Sequence, residues 1–209
     1  GVLSLTGTAT LANYQTVLRS VSYSNSSDNP STADRVLLFT IDDGIDVNTD
    51  SRTIQVTAVN DAPVGTGDSY STAEDTLLAV AASGVLGNDT DAEGPSLTAV
   101  LVSGPTQAAS FILNADGSFN YTPVANYSGS DSFTYRASDG LLTSAVRTVA
   151  LTISADNDAP VNVLQATTAS INEDTNLVFG AANGNRVTMS DVDAGGNVIQ
   201  MTVQVTSGD

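Results

Sequence analysis

The chain has 209 residues, 23 acidic against six cationic side chains, all Arg, a formal charge of −17, and no Cys, His, Lys or Trp. These absences exclude disulfides, thiolate and imidazole zinc sites, thiol nucleophiles, the commonest general base and Lys-Asn isopeptide cross-links, and so acidic a surface disfavours nucleic acid. At 41% hydrophobic and 5% aromatic content the chain can pack thin cores of Val, Leu, Ile and Ala, but no apolar run approaches the ~18 residues that span a bilayer.

Residues 1–60 read as the carboxy-terminal part of a module. Thr10 precedes Leu11, Tyr14 and Leu18, whose spacing predicts one face of a short helix closing a sandwich end, and Val21 to Tyr23 is strand-like. Leu37, Phe39 and Ile41 alternate before the acidic turn Asp43-Gly44, and the linker Asn60-Asp61-Ala62-Pro63-Val64 follows. Residues 61–157 read as one complete module. Phe111 to Tyr121 predicts a hairpin around Asp116-Gly117. Ser132 to Ala137 puts Phe133, Tyr135 and Ala137 on one face, and Arg147 to Ile153 does the same with Val149, Leu151 and Ile153. Residues 158–209 read as the amino-terminal part of a further module. Short alternating strands set off by Gly, Asn, Asp and Pro turns indicate an all-β fold of β-sandwich units.

The linker returns as Asn157-Asp158-Ala159-Pro160-Val161, 97 residues on. Leu37, Phe39, Ile41, Asp43 and Gly44 return as Phe133, Tyr135, Ala137, Asp139 and Gly140. A module repeated in register implies a tandem, elongated array in which each unit meets its neighbours, which places function at the junctions. Partial modules expose apolar strand edges, so each is expected to be complemented or poorly ordered.

The acids repeat as well. Of the 23, only Glu74, Glu93 and Glu173 are Glu. Glu74-Asp75-Thr76 pairs with Glu173-Asp174-Thr175 at an offset of 99, and Asp89-Thr90-Asp91 pairs with Asp191-Val192-Asp193 at 102. A lone Asp in a turn usually serves its own backbone. Recurrence in register points further, because carboxylates crowded at a junction repel unless a cation joins them, and Ca2+ takes six to eight hard oxygen ligands where Mg2+ prefers water.

The run from Phe133-Thr134-Tyr135-Arg136-Ala137-Ser138-Asp139-Gly140 to Ala155-Asp156-Asn157-Asp158-Ala159-Pro160 resembles the end of a cadherin repeat and its linker. It is more similar to the bacterial cadherin-like repeats of large surface adhesins, with their Asn-Asp-Ala-Pro linkers and Asn-Ala-Asp-Gly-Ser-Phe hairpins. The resemblance implies Ig-like or cadherin-like sandwiches, an extracellular or cell-surface bacterial location, and Ca2+ at the junctions. It implies that Glu74 lies near Asp156, Asn157 and Asp158, that Asp191 and Asp193 close that site from the next module, with Glu173 repeating Glu74, and that Asn60 and Asp61 work with Asp89, Asp91 and Asp139. The first linker lacks a counterpart of Asp156, which points to fewer ions there.

Three functional classes follow. The first is a non-enzymatic, calcium-rigidified spacer of an adhesin serving cell-surface or biofilm adhesion. The second is a self-assembling extracellular filament, in which residues 158–209 of one chain complement residues 1–60 of another head to tail. The third, a glycosidase built on paired carboxylates, fits poorly with acids that repeat at the module period. A sugar-binding calcium site would need exposed aromatic residues, and Tyr70 and Tyr127 are the nearest ones.

Overall fold

A computed structural model describes residues 9–94, 96–195 and 200–204. Its centre is a two-sheet sandwich between the linkers. One sheet has the order β3-β9-β8-β5, from Asp68–Ala73 (β3), Arg147–Ser154 (β9), Gly129–Ser138 (β8) and Thr98–Ser103 (β5). The other runs β4-β7-β6, from Leu78–Val80 (β4), Phe119–Pro123 (β7) and Ala108–Leu113 (β6). The first strand joins the last in parallel, Asp68 opposite Val149, and the remaining pairs are antiparallel.

Period-two alternation builds the core. Phe133, Tyr135 and Ala137 on β8, Val149, Leu151 and Ile153 on β9, and Phe119 and Tyr121 on β7 are all buried. Phe119 and Phe133 meet edge to face at 5.2 Å, and Phe111 leans on Phe133 at 4.7 Å, so aromatic contacts tie the sheets together. Tyr70 and Phe119 meet edge to face at 5.1 Å, and Tyr127 packs against the same cluster while its hydroxyl donates to Ser130 O at 2.8 Å. Both are therefore packing residues.

Two tyrosine clamps fix the loops. The Tyr135 hydroxyl lies 2.6 Å from Val85 O, 2.9 Å from Asp89 Oδ2 and 3.0 Å from Thr66 O, and Tyr121 bonds Asp131 Oδ2 at 3.0 Å. The predicted hairpin forms with Phe111 opposite Tyr121. Asp116 accepts from the backbone and hydroxyl of Ser118, and Gly117 adopts φ +84 against the 3-10 turn Gly84–Leu86.

The flanking segments repeat pieces of this plan. Helix α1 (Leu11–Leu18) forms as predicted, with Thr10 accepting from Asn13 N at 3.3 Å, but none of its residues is buried, so it does not close a core. Val21 to Tyr23 is not a strand, because its alternating residues find no neighbouring strand to pair with among the described residues. The antiparallel hairpin β1 (Arg35–Asp42) and β2 (Val47–Ile54) mirrors β8 and β9, yet Leu38 and Ile41 are each 69% exposed. After the second linker, β10 (Val161–Leu164) pairs with β11 (Val187–Ser190), and a 3-10 turn at Ala181–Asn183 lies between them in sequence. Val161 faces Ser190 as Val64 faces Thr90.

Candidate functional site

Each linker folds onto carboxylates of the unit it enters. Asn60 Nδ2 donates to Asp61 O at 3.0 Å, and Asn157 Nδ2 donates to Asp158 O at 2.9 Å, so each Asn shapes the backbone of its own linker. The following N–H then meets a carboxylate: Asp61 N donates to Glu93 Oε2 at 3.2 Å, and Asp158 N donates to Asp193 Oδ2. Behind these, Asp91 Oδ1 accepts from Glu93 N and Asp191 Oδ1 accepts from Asp193 N, both at 3.0 Å. The loops are therefore equivalent.

This equivalence corrects the motif register. Asp91-Ala92-Glu93 matches Asp191-Val192-Asp193, 100 residues apart, in keeping with the pairing of Thr90 with Val64 and of Ser190 with Val161. Asp89 is not a linker residue. Its Oδ1 accepts from Thr66 N at 2.6 Å and its Oδ2 from the Tyr135 hydroxyl, so it closes the module's own amino-terminal end. Sequence spacing misled here because Asp-x-Asp occurs at 89–91 and Asp-x-Glu at 91–93, two residues apart. Glu93 was missed for that reason.

At the first junction Asn60 Nδ2 also reaches Asp139 Oδ2 at 2.7 Å, and Asn29 Nδ2 reaches Ala92 O at 2.9 Å. Asp139 Oδ1 holds the N–H groups of Leu141 and Leu142 at 2.6 and 2.7 Å. The Leu142 N–H, the Asn60 amide and the Leu141 N–H hold the Asp139 carboxyl below the usual carboxylate range. Asp43 repeats this turn in the preceding unit, accepting from Ile45 and Asp46 N–H groups.

At the second junction Glu74 is 4% exposed and its Oε1 accepts from Asp156 N at 2.7 Å, while its own N–H donates to Ser154 O. Asp156 Oδ1 takes the Asn157 N–H at 3.1 Å. Two residues outside the predicted set join them. Asp75, at φ 55, accepts from Asn126 N at 3.1 Å. With its amide nitrogen turned toward the carboxylates, Asn126 donates to Asp158 Oδ2 at 2.9 Å and Asp75 Oδ2 at 3.3 Å. Desolvation, then the charges of Asp193, Asp75, Glu74 and Asp156, push the Asp158 carboxyl up. Glu173 is exposed, in a turn whose Asp174 has φ 57, the counterpart of Asp75.

The donor set is all oxygen and suits a hard cation. Asp91 Oδ2 and Glu93 Oε1 are buried without a hydrogen-bond partner, an arrangement that costs free energy and that a cation would relieve. Among the described residues no group of three or more Asp or Glu side chains is drawn together as a finished ligand shell. Binding would require these side chains to converge. Nor, among the described residues, is any helix long and apolar enough to cross a membrane.

Comparison with known proteins bears on the central module. Residues 60–155 match the family model described as the bacterial cadherin-like domain. No curated protein matches the chain. Among solved structures, an endo-fucoidan hydrolase of glycoside hydrolase family 107, MfFcnA4, is similar at 22% identity and a TM-score of 0.32, covering 60% of this chain and 19% of that one. A point variant of the same enzyme gives 20% identity and a TM-score of 0.36, covering 63% of this chain and 21% of its own. The chain thus spans about a fifth of the length of these structures.

Proposed function

We propose, from the match of residues 60–155 to the bacterial cadherin-like domain model, that the chain is a calcium-rigidified structural repeat of a bacterial extracellular adhesin. Its modules form an elongated tandem array, its role is non-enzymatic, and its partners are the adjacent modules of the same protein. Cell-surface or biofilm adhesion is what such a spacer serves, by projecting a binding region away from the cell.

The observation that carries this reading is the repeated junction, in which Asp61 meets Glu93 and Asp158 meets Asp193 through the same backbone donor. A fold that needed only solubility would have no reason to aim two carboxylate loops at two linkers in one register. Asn60, Asp61, Asp91, Glu93 and Asp139 would hold Ca2+ at the first junction. Glu74, Asp156, Asn157, Asp158, Asp191 and Asp193 would hold it at the second, and Glu173, the repeat of Glu74, belongs to the far end of the next unit. The ion supplies charge neutralisation and bridges module to linker, converting a small and otherwise flexible interface into a fixed one.

Calorimetric titration with Ca2+ tests it. The unsubstituted chain is expected to bind, and Glu93→Gln and Asp193→Asn each to weaken one class of sites by about tenfold, equivalent to ~1.4 kcal/mol. Absence of binding at millimolar Ca2+, or affinity unchanged in both variants, would overturn the assignment.

A further inference from the structure

We propose that Asn126 is a cation-independent latch between the central module and the linker that leaves it. Three stretches distant in sequence meet at this side chain: the turn after β3 through Asp75, the loop between β7 and β8 that carries Asn126, and the linker through Asp158. Its backbone N–H donates to Asp75 Oδ1, and in the amide orientation that turns its nitrogen toward the carboxylates the side chain donates to Asp158 Oδ2 at 2.9 Å and Asp75 Oδ2 at 3.3 Å. Both residues of the loop-to-turn pair sit in left-handed backbone, φ 57 at Asn126 and φ 55 at Asp75, a conformation that Asn and Asp tolerate better than other non-glycine residues. The backbone thereby aims the amide outward toward the linker.

The chemistry of the amide explains its place there. Glu74, Asp75, Asp156, Asp158 and Asp193 are all acidic side chains at this junction, and among the described residues no Arg side chain pairs with them. Two amide hydrogens can satisfy two carboxylates at once without adding charge, so Asn126 joins Asp75 to Asp158 where direct approach would be repulsive. The first linker has its own amide bridge, Asn60 to Asp139, but there the amide belongs to the linker and the carboxylate to the module. At the second linker the polarity is reversed. The module therefore grips the outgoing chain with a side chain of its own, which holds the linker in place before any ion arrives.

The latch goes beyond the calcium reading, and one experiment separates the two. The chain has no Cys, so Asn120→Cys on β7 and Asn162→Cys on β10 give two specific spin-label sites, both exposed. Pulsed electron paramagnetic resonance in chelator is expected to give a narrow distance distribution, and Asn126→Gly is expected to widen it at least about twofold. Glycine keeps the left-handed backbone and the N–H bond to Asp75, so the widening reads the lost amide alone, and unchanged far-ultraviolet circular dichroism verifies the fold. Equal widths with and without the Asn126 amide in chelator would overturn the latch. Adding Ca2+ to Asn126→Gly reports on the other reading: renewed narrowing supports calcium at the junction, and no response counts against calcium while leaving the chelator comparison intact.

Discussion

Glu74 Oε1 accepts the backbone N–H of Asp156 at 2.7 Å, so a buried carboxylate near the start of the module holds the second residue after its last strand, which ends at Ser154. The two residues are 82 positions apart. A hydrogen bond to a charged acceptor contributes about 1.5–3 kcal/mol, and removal leaves the Asp156 N–H to water. Glu74→Ala is expected to lower module stability within that range in urea denaturation, and Glu74→Gln, which keeps an oxygen acceptor, to lower it less. Equal losses would show that the charge, and not the acceptor, holds the linker.

Removing the Tyr135 hydroxyl tests the clamp at the opposite end. Tyr135→Phe removes the one hydroxyl hydrogen that Val85 O and Asp89 Oδ2 share as acceptors. The expected cost is about 1–3 kcal/mol by chemical denaturation, with the midpoint lowered and the slope unchanged. A loss under ~0.5 kcal/mol would mean that water replaces the bonds without penalty.

The pH dependence of the first junction has a fixed sign. Asp139 titrates below its ordinary value of 3.8 because the Leu142 N–H, the Asn60 amide and the Leu141 N–H favour its anion. A carboxyl depressed by folding contributes stability that is present above 3.8 and is lost as pH falls through the folded value. Asn60→Ala is expected to move the Asp139 titration up toward 3.8 in carbon-detected nuclear magnetic resonance, whereas an unmoved titration would mean that Asn60 does not engage it.

Asp158 carries the opposite sign. Desolvation and the neighbouring Asp193, Asp75, Glu74 and Asp156 raise it, so its charged form weighs against the junction at neutral pH, and this burden fades as pH falls through its folded value. Asp193→Asn is expected to bring the Asp158 titration down toward 3.8 in metal-free buffer; no displacement would place the two side chains apart in solution.

Much of the fold was legible because alternation and turn chemistry are local. Phe133, Tyr135, Val149, Leu151 and the Asp116-Gly117 hairpin could be read from period and dipeptide alone, and Thr10 with Leu11 marked the helix. Val21 to Tyr23 could not, since a strand exists only where another chain segment bonds to it. The candidate site was legible where residues repeat in identity, as at Asn60 and Asn157, and obscure where chemistry is kept with a different residue. Glu93 replaces the Asp of the later unit, and Asp89 imitates the motif while bonding to Tyr135. Asn126 lacks charge and lies far in sequence from both partners, so no acidic pattern could indicate it.

Small-angle X-ray scattering of the chain in Ca2+ and after chelation tests the calcium-stiffened spacer most directly. The account predicts an extended, rigid profile in Ca2+ that broadens into a flexible ensemble when the ion is removed, with the central module intact by circular dichroism. Identical profiles in both buffers would contradict it and leave the acidic loops as formers of turns and linker contacts alone.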